Sequence, residues 1–214
     1  MDASAACPCW EPVRLVAKRK NDTLRRGRPT REYRKVVWLS SEGQTEKDYF
    51  SMDVFRALPV SIKFPKNIHP NRTNPAAVLK RFQKALREND FRKDDEAWLV
   101  IDVDDWDKSE FIELLKWARD DGRHHLAVSN PKFELFLIMH FERGNGCTTP
   151  SQVDARLKKL MPSYDKRLKA NQFDAEQVKV AVENARIKRA SCSADLPEAG
   201  MTDVYELVER LLGE

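Results

Sequence analysis

Four carboxylates stand at spacings that chemistry can use. Glu42 and Glu46 lie four residues apart in EGQTEKDYF, just after the apolar run VVWLS. Asp102 and Asp104 lie two apart in IDVDDWD, where the run AWLVI closes. Residues i and i+2 of a strand point to one face, so Asp102 and Asp104 can aim at one point. Converging carboxylates repel each other unless a cation holds them, and hard oxygen ligands suit Mg²⁺ or Mn²⁺. Such ions polarise a phosphoryl group, activate water and stabilise a leaving oxygen. Asp-rich turns are also common as solvated caps, which accounts for Asp105 and Asp107. A cap accounts less easily for Glu42-Gly43, at the end of a different apolar run.

The elements that must carry these acids alternate along the chain. Strands are expected over 36–40, 60–64, 97–101 and 125–128, the third apolar throughout as in a strand covered on both sides. Helices are expected between them: 45–58 with Thr45 as N-cap, a helix opened by Asn74-Pro75, 109–119 with Ser109 as cap, and 130–140 opened by Asn130-Pro131. Val78, Leu79, Phe82, Ala85 and Leu86 mark the buried face of the second helix. This order predicts an α/β fold with a mostly parallel sheet flanked by helices. In open parallel sheets ligands sit beyond the carboxyl ends of the strands, where Glu42, Asp102 and Asp104 fall. After Gly144-Asn145-Gly146 the pattern is helical only, over 151–160, 174–189 and 202–212. The expected organisation is therefore a basic arm over 1–35, an α/β domain over 36–142, and a helical extension over 143–214. That extension packs on the domain or docks a partner.

The 214 residues, 41% of them hydrophobic, suffice for one substantial core. No stretch approaches the roughly 18 apolar residues of a membrane span, and the first residues lack a signal-peptide pattern, so a soluble, cytoplasmic protein is expected. Cys7, Cys9, Cys147 and Cys192 do not suggest a disulfide framework or a zinc site. The net charge of +4 is uneven: residues 1–35 hold ten Lys and Arg against four Asp and Glu. This arm, with Lys18, Arg19, Lys20, Arg25, Arg26 and Arg28, is either a solvated tail or a segment that neutralises phosphates, which makes nucleic acid a candidate partner. There is no GxxxxGKS, GxSxG or HExxH motif. A homo-oligomer is left open.

Three signatures occur in order: EGQTEKDYF (42–50), IDVDD (101–105) and SNPKFELFLIMHF (129–141). Together they resemble the RloB-like family, small proteins encoded with bacterial restriction and abortive-infection systems. The resemblance spans about residues 35–142, with a weaker match in the C-terminal helices. The first two signatures also resemble a TOPRIM domain, in which a Glu after the first strand and a DxD after the third bind divalent metal. By that likeness Glu42 is the TOPRIM glutamate, and Asp102 and Asp104 are its DxD. Glu46 corresponds to the second glutamate of OLD-like nucleases, which share EGxTE. The resemblance implies a metal-dependent nuclease using Mg²⁺ or Mn²⁺, acting in anti-phage defence beside an ATPase of the ABC or AAA kind. Gly43 is expected to let the backbone turn so that the two glutamates meet.

In the third signature, Glu134 has two readings. It is either a carboxylate favoured in a helix's first turn or an outer ligand of the metal cluster. His140 shares a face with Phe133, Phe136 and Leu137, and is expected to be a buried, hydrogen-bonded histidine. Two functions from different classes follow. One is hydrolysis of DNA or RNA phosphodiesters by Glu42, Glu46, Asp102 and Asp104. The other is a non-catalytic subunit that binds nucleic acid or an ATPase.

Overall fold

In the computed structural model, residues 34–41, 43–65, 75–103 and 108–213 are described. The chain from Arg34 onward forms one compact unit. The strands are β1 (Val36–Ser40), β2 (Ser61–Lys63), β3 (Glu96–Asp102), β4 (His124–Asn130) and β5 (Met201–Thr202). They lie in the order β2-β1-β3-β4-β5, parallel except for the antiparallel β4–β5 pair. The helices are α1 (Gln44–Phe50), α2 (Asp53–Arg56), α3 (Pro75–Glu88), α4 (Ile112–Asp120), α5 (Glu134–Met139), α6 (Pro150–Leu160), α7 (Ala175–Arg189) and α8 (Val204–Leu212).

Two apolar layers sandwich the sheet, and the strand alternation sorts residues between them. Val36, Trp38, Ala97, Leu99, Ile101 and Val128 face α3 and α4. Val37, Leu39, Trp98, Val100 and Ala127 face α1, α2, α5 and the C-terminal helices α6 to α8. Double coverage explains why β1 is buried at every position. The second layer holds an aromatic knot around Tyr49, with Phe50, Phe55, Phe133 and Phe136 all at ring-centroid distances below 6 Å.

Several expected boundaries shift, each for a local reason. The helix expected over 45–58 breaks at Met52, whose backbone is extended; the next N–H, of Asp53, donates to the Ala170 carbonyl. Gly43, not Thr45, caps α1, which frees the Thr45 hydroxyl for other work. Ser109 sits inside a 3-10 turn, Lys108–Phe111, rather than capping α4. Asn130 ends β4 instead of opening a helix: Asn130-Pro131 is cis, the Asn130 side-chain amide donates to the Pro197 carbonyl, and α5 starts only at Glu134. Strand β5 was not expected; Gly200, at φ 88°, turns the chain so that its N–H donates to the Asn130 carbonyl. The starts of α6 and α7 are set by capping boxes, Thr149 with Gln152 and Asp174 with Gln177. Asn74 lies outside the described residues.

Candidate functional site

The carboxyl ends of β1, β3 and β4 lie side by side, with Ser40 opposite Leu99 and Asp102 opposite Ser129. Asp102 is half-buried at the last position of β3. Alternation gives it the face of Trp98 and Val100, which α1 and α5 cover. Glu42 and Asp104 lie outside the described residues, as do the arm residues Lys18, Arg19, Lys20, Arg25, Arg26 and Arg28.

Glu46 occupies the first turn of α1 and is only 5% exposed. Its Oε2 is buried with no hydrogen-bond partner among the described residues. Burial pushes its carboxyl up to about 7, and the nearby Glu134 carboxylate pushes the same way. Backbone N–H groups of Glu46 itself and Gly43, and the Lys47 ammonium, offset part of that cost. The structure therefore brings Glu46 and Glu134 together across two helices that follow different strands.

Gly43 has a different role from the one its type suggested. Its backbone is extended, at φ −117° and ψ 179°, which any residue adopts. What a side chain would disturb is the carboxylate: a Cβ there would stand 2.6 Å from Glu46 Oε2, which would have to move aside. The missing side chain makes the seat for the carboxylate.

A residue from the C-terminal third completes the cluster. The Tyr164 hydroxyl donates to Glu134 Oε1 at 3.2 Å and lies 2.8 Å from Thr45 Oγ1. With its one proton on Glu134, Tyr164 accepts from Thr45. Burial, and then Glu134, hold the Tyr164 phenol well above its ordinary range, so it stays a donor. Tyr164 was not singled out in the sequence, and Thr45 was read only as a helix cap. They are 119 positions apart, and the stretch around Tyr164 carries no periodic pattern.

His140 is buried. Its Nδ1–H donates to the Phe136 carbonyl at 3.0 Å, and its Nε2 accepts from the Tyr49 hydroxyl at 3.0 Å. Burial lowers its pKa to about 4, so it is a neutral core residue, as expected.

Among the described residues no group of three His, Cys, Asp or Glu stands ready to hold a metal ion. The donor set nonetheless suits a hard cation. Two acidic side chains approach each other, and one buried oxygen has no proton donor among the described residues. The described helices include none long and apolar enough to cross a membrane.

A protein-family model described as RloB-like protein matches residues 37–211. No curated protein and no solved structure matches the chain.

Proposed function

The chain belongs to the RloB-like family, and from that premise we propose that it is a divalent-metal-dependent nuclease of bacterial anti-phage defence. The observation that carries this reading is the buried Glu46 carboxyl, seated in the space at Gly43 and set against Glu134 beyond the carboxyl edge of a parallel sheet.

Glu46 and Asp102, with Glu42 and Asp104 by the TOPRIM likeness and Glu134 from α5, are the residues that would hold Mg²⁺ or Mn²⁺. Bound there, the ion supplies Lewis acidity toward a phosphodiester. The chain's own groups do the rest. Near neutral pH the metal-free Glu46 carboxyl is poised between its charged and neutral forms, so it would give up its proton to a bound cation at physiological pH. Tyr164 and Thr45 fix the orientation of Glu134 through their hydroxyls. Glu46 shares the buried face of α1 with Tyr49 and Phe50, three and four residues on, which limits water around it. The family's association with restriction and abortive-infection systems supports a defence role, a cytoplasmic site of action and an ATPase partner.

The test is incubation of the purified protein with plasmid DNA and total tRNA in Mn²⁺, Mg²⁺ or EDTA. Cleavage is expected with metal and not with EDTA. Glu46→Gln and Asp102→Asn should each lower it by about 10²–10³ while the protein stays folded. Failure to cleave under every condition, with the ATPase partner also supplied, would leave the non-catalytic binding subunit as the better reading.

A further inference from the structure

The segment that follows α6 is fixed to α1 at successive points, and nearly every one is made by backbone or by an uncharged group. Tyr164 meets Thr45 and Glu134. The Lys166 carbonyl lies 3.3 Å from Thr45 Oγ1. The Leu168 N–H donates to Asp48 Oδ2 at 3.2 Å, and the Ala170 carbonyl accepts from the Asp53 N–H at 2.9 Å. Only Arg167 spends its charge on the anchoring, 2.7 Å from Asp48. The ammonium groups around it are left over. Lys158, Lys159, Lys166 and Lys169 are exposed, and none has an ion-pair partner among the described residues.

Lys166 adds a sign of constraint. Its φ is 52°, in the left-handed region that side-chain-bearing residues rarely occupy. A conformation of this kind costs on the order of 1 kcal/mol or more and is held only where the surroundings impose it. Here the imposed shape sets Lys166 and Arg167, with the exposed Asp165 before them, beside the helix that carries Glu46.

We infer that this segment together with the last turn of α6, from Lys158 to Lys169, is the surface that takes the phosphodiester backbone of a polynucleotide and leads it to the carboxylates. The inference rests on the hydrolytic reading above. The electrostatics ask for such a flank, because carboxylates repel an approaching polyanion over about 8–10 Å at physiological salt. Fixed cations beside them reverse that local field. Lysine ammonium groups on a rigid backbone suit sequence-independent phosphate contacts. The candidate surface is also distinct from the N-terminal arm, so binding need not depend on the arm alone.

The test compares two full-length variants in EDTA. Lys158→Gln/Lys166→Gln/Lys169→Gln removes charge from the segment. Lys80→Gln/Lys84→Gln/Lys116→Gln removes equal charge from α3 and α4, on the opposite face of the sheet. Binding of labelled DNA and RNA, single-stranded and duplex, is followed by anisotropy over a KCl series. The segment variant should bind about tenfold more weakly at low salt and lose about 2 from the slope of log K against log salt, three contacts at roughly 0.7 each for single strands. The opposite-face variant should keep the parent slope. Equal losses in both variants, or none in either, overturn the inference, and a parent that binds no polynucleotide overturns it together with the hydrolytic reading. Binding that falls as expected in a parent that never cleaves with Mn²⁺ sinks only the hydrolytic reading. Cleavage by the parent with an unchanged slope in the segment variant sinks only this inference.

Discussion

Glu46 and Gly43 act as one unit, and each gives a measurement. The Glu46 carboxyl sits near 4.5 in an exposed chain and about 7 in the fold. Below the lower value both states are protonated and the group is neutral to stability. As pH rises from about 4.5 to about 7, the unfolded chain ionises while the folded one must keep its proton, so stability is lost across that window. The loss is on the order of 3 kcal/mol in metal-free protein. Glu46→Gln should flatten that part of the profile of melting temperature against pH in EDTA, and a variant profile parallel to the parent's would show that Glu46 does not titrate there. Gly43→Ala tests the seat. Its backbone conformation is ordinary, so the fold should survive with a loss of about 1–2 kcal/mol. The added methyl must nonetheless push Oε2 aside, so any rise in melting temperature caused by Mn²⁺ should shrink as much as in Glu46→Gln. An undiminished Mn²⁺ effect in Gly43→Ala would show that the seat is not part of the metal site.

At the scale of elements, the sequence pattern was legible where one face of one element decided the matter. The five residues of β1 and the buried stripe of α3 fell where apolar spacing put them, because burial against a sheet selects apolar residues at fixed periods. Boundaries failed where a distant partner overrode local preference. The helix after Gly43 looks continuous over 45–58, but the Ala170 carbonyl draws off the Asp53 N–H and the helix breaks at Met52. Asn130-Pro131 has the form of a helix start, yet pairing with Met201 and Gly200 keeps Asn130 in β4. The site shows the same division. Glu46, Asp102 and Glu134 were readable as acids at element ends, since their type and position are local facts. Tyr164 was not, because only the docking of its segment onto α1 brings its hydroxyl to Glu134. Gly43 was readable as important but for the wrong reason, since the space that Glu46 needs is a tertiary quantity.

Across the whole molecule, the helical C-terminal third shares its core with the α/β part. Val178, Ala181, Val182 and Ala185 of α7 and Val204, Leu207, Val208 and Leu211 of α8 belong to the same apolar cluster as Val37, Trp98, Phe136 and Ile138. Charge ties the ends as well. Burial alone would raise the Glu96 carboxyl, but hydrogen bonds from Arg210 of α8, Lys35 and Trp98 hold it down to about 2. Removing α8 would strip four buried aliphatic side chains from that cluster, each worth roughly 1.5–3 kcal/mol. It would also leave the buried Glu96 short of a partner, which adds a further cost of order 1–3 kcal/mol. The total, about 7–15 kcal/mol, is comparable to the roughly 5–15 kcal/mol that holds a typical domain folded. A chain ending at Thr202 should therefore lack a cooperative thermal transition, expose apolar surface to a dye such as ANS, and show none of the Mn²⁺-induced stabilisation expected of the parent. The conservative partner of this test is Leu207→Ala with Leu211→Ala, which should lower stability by several kcal/mol while retaining a cooperative melt. A truncated chain that still melts cooperatively would mean that the sheet and α1 to α5 stand alone, with α8 only resting on them.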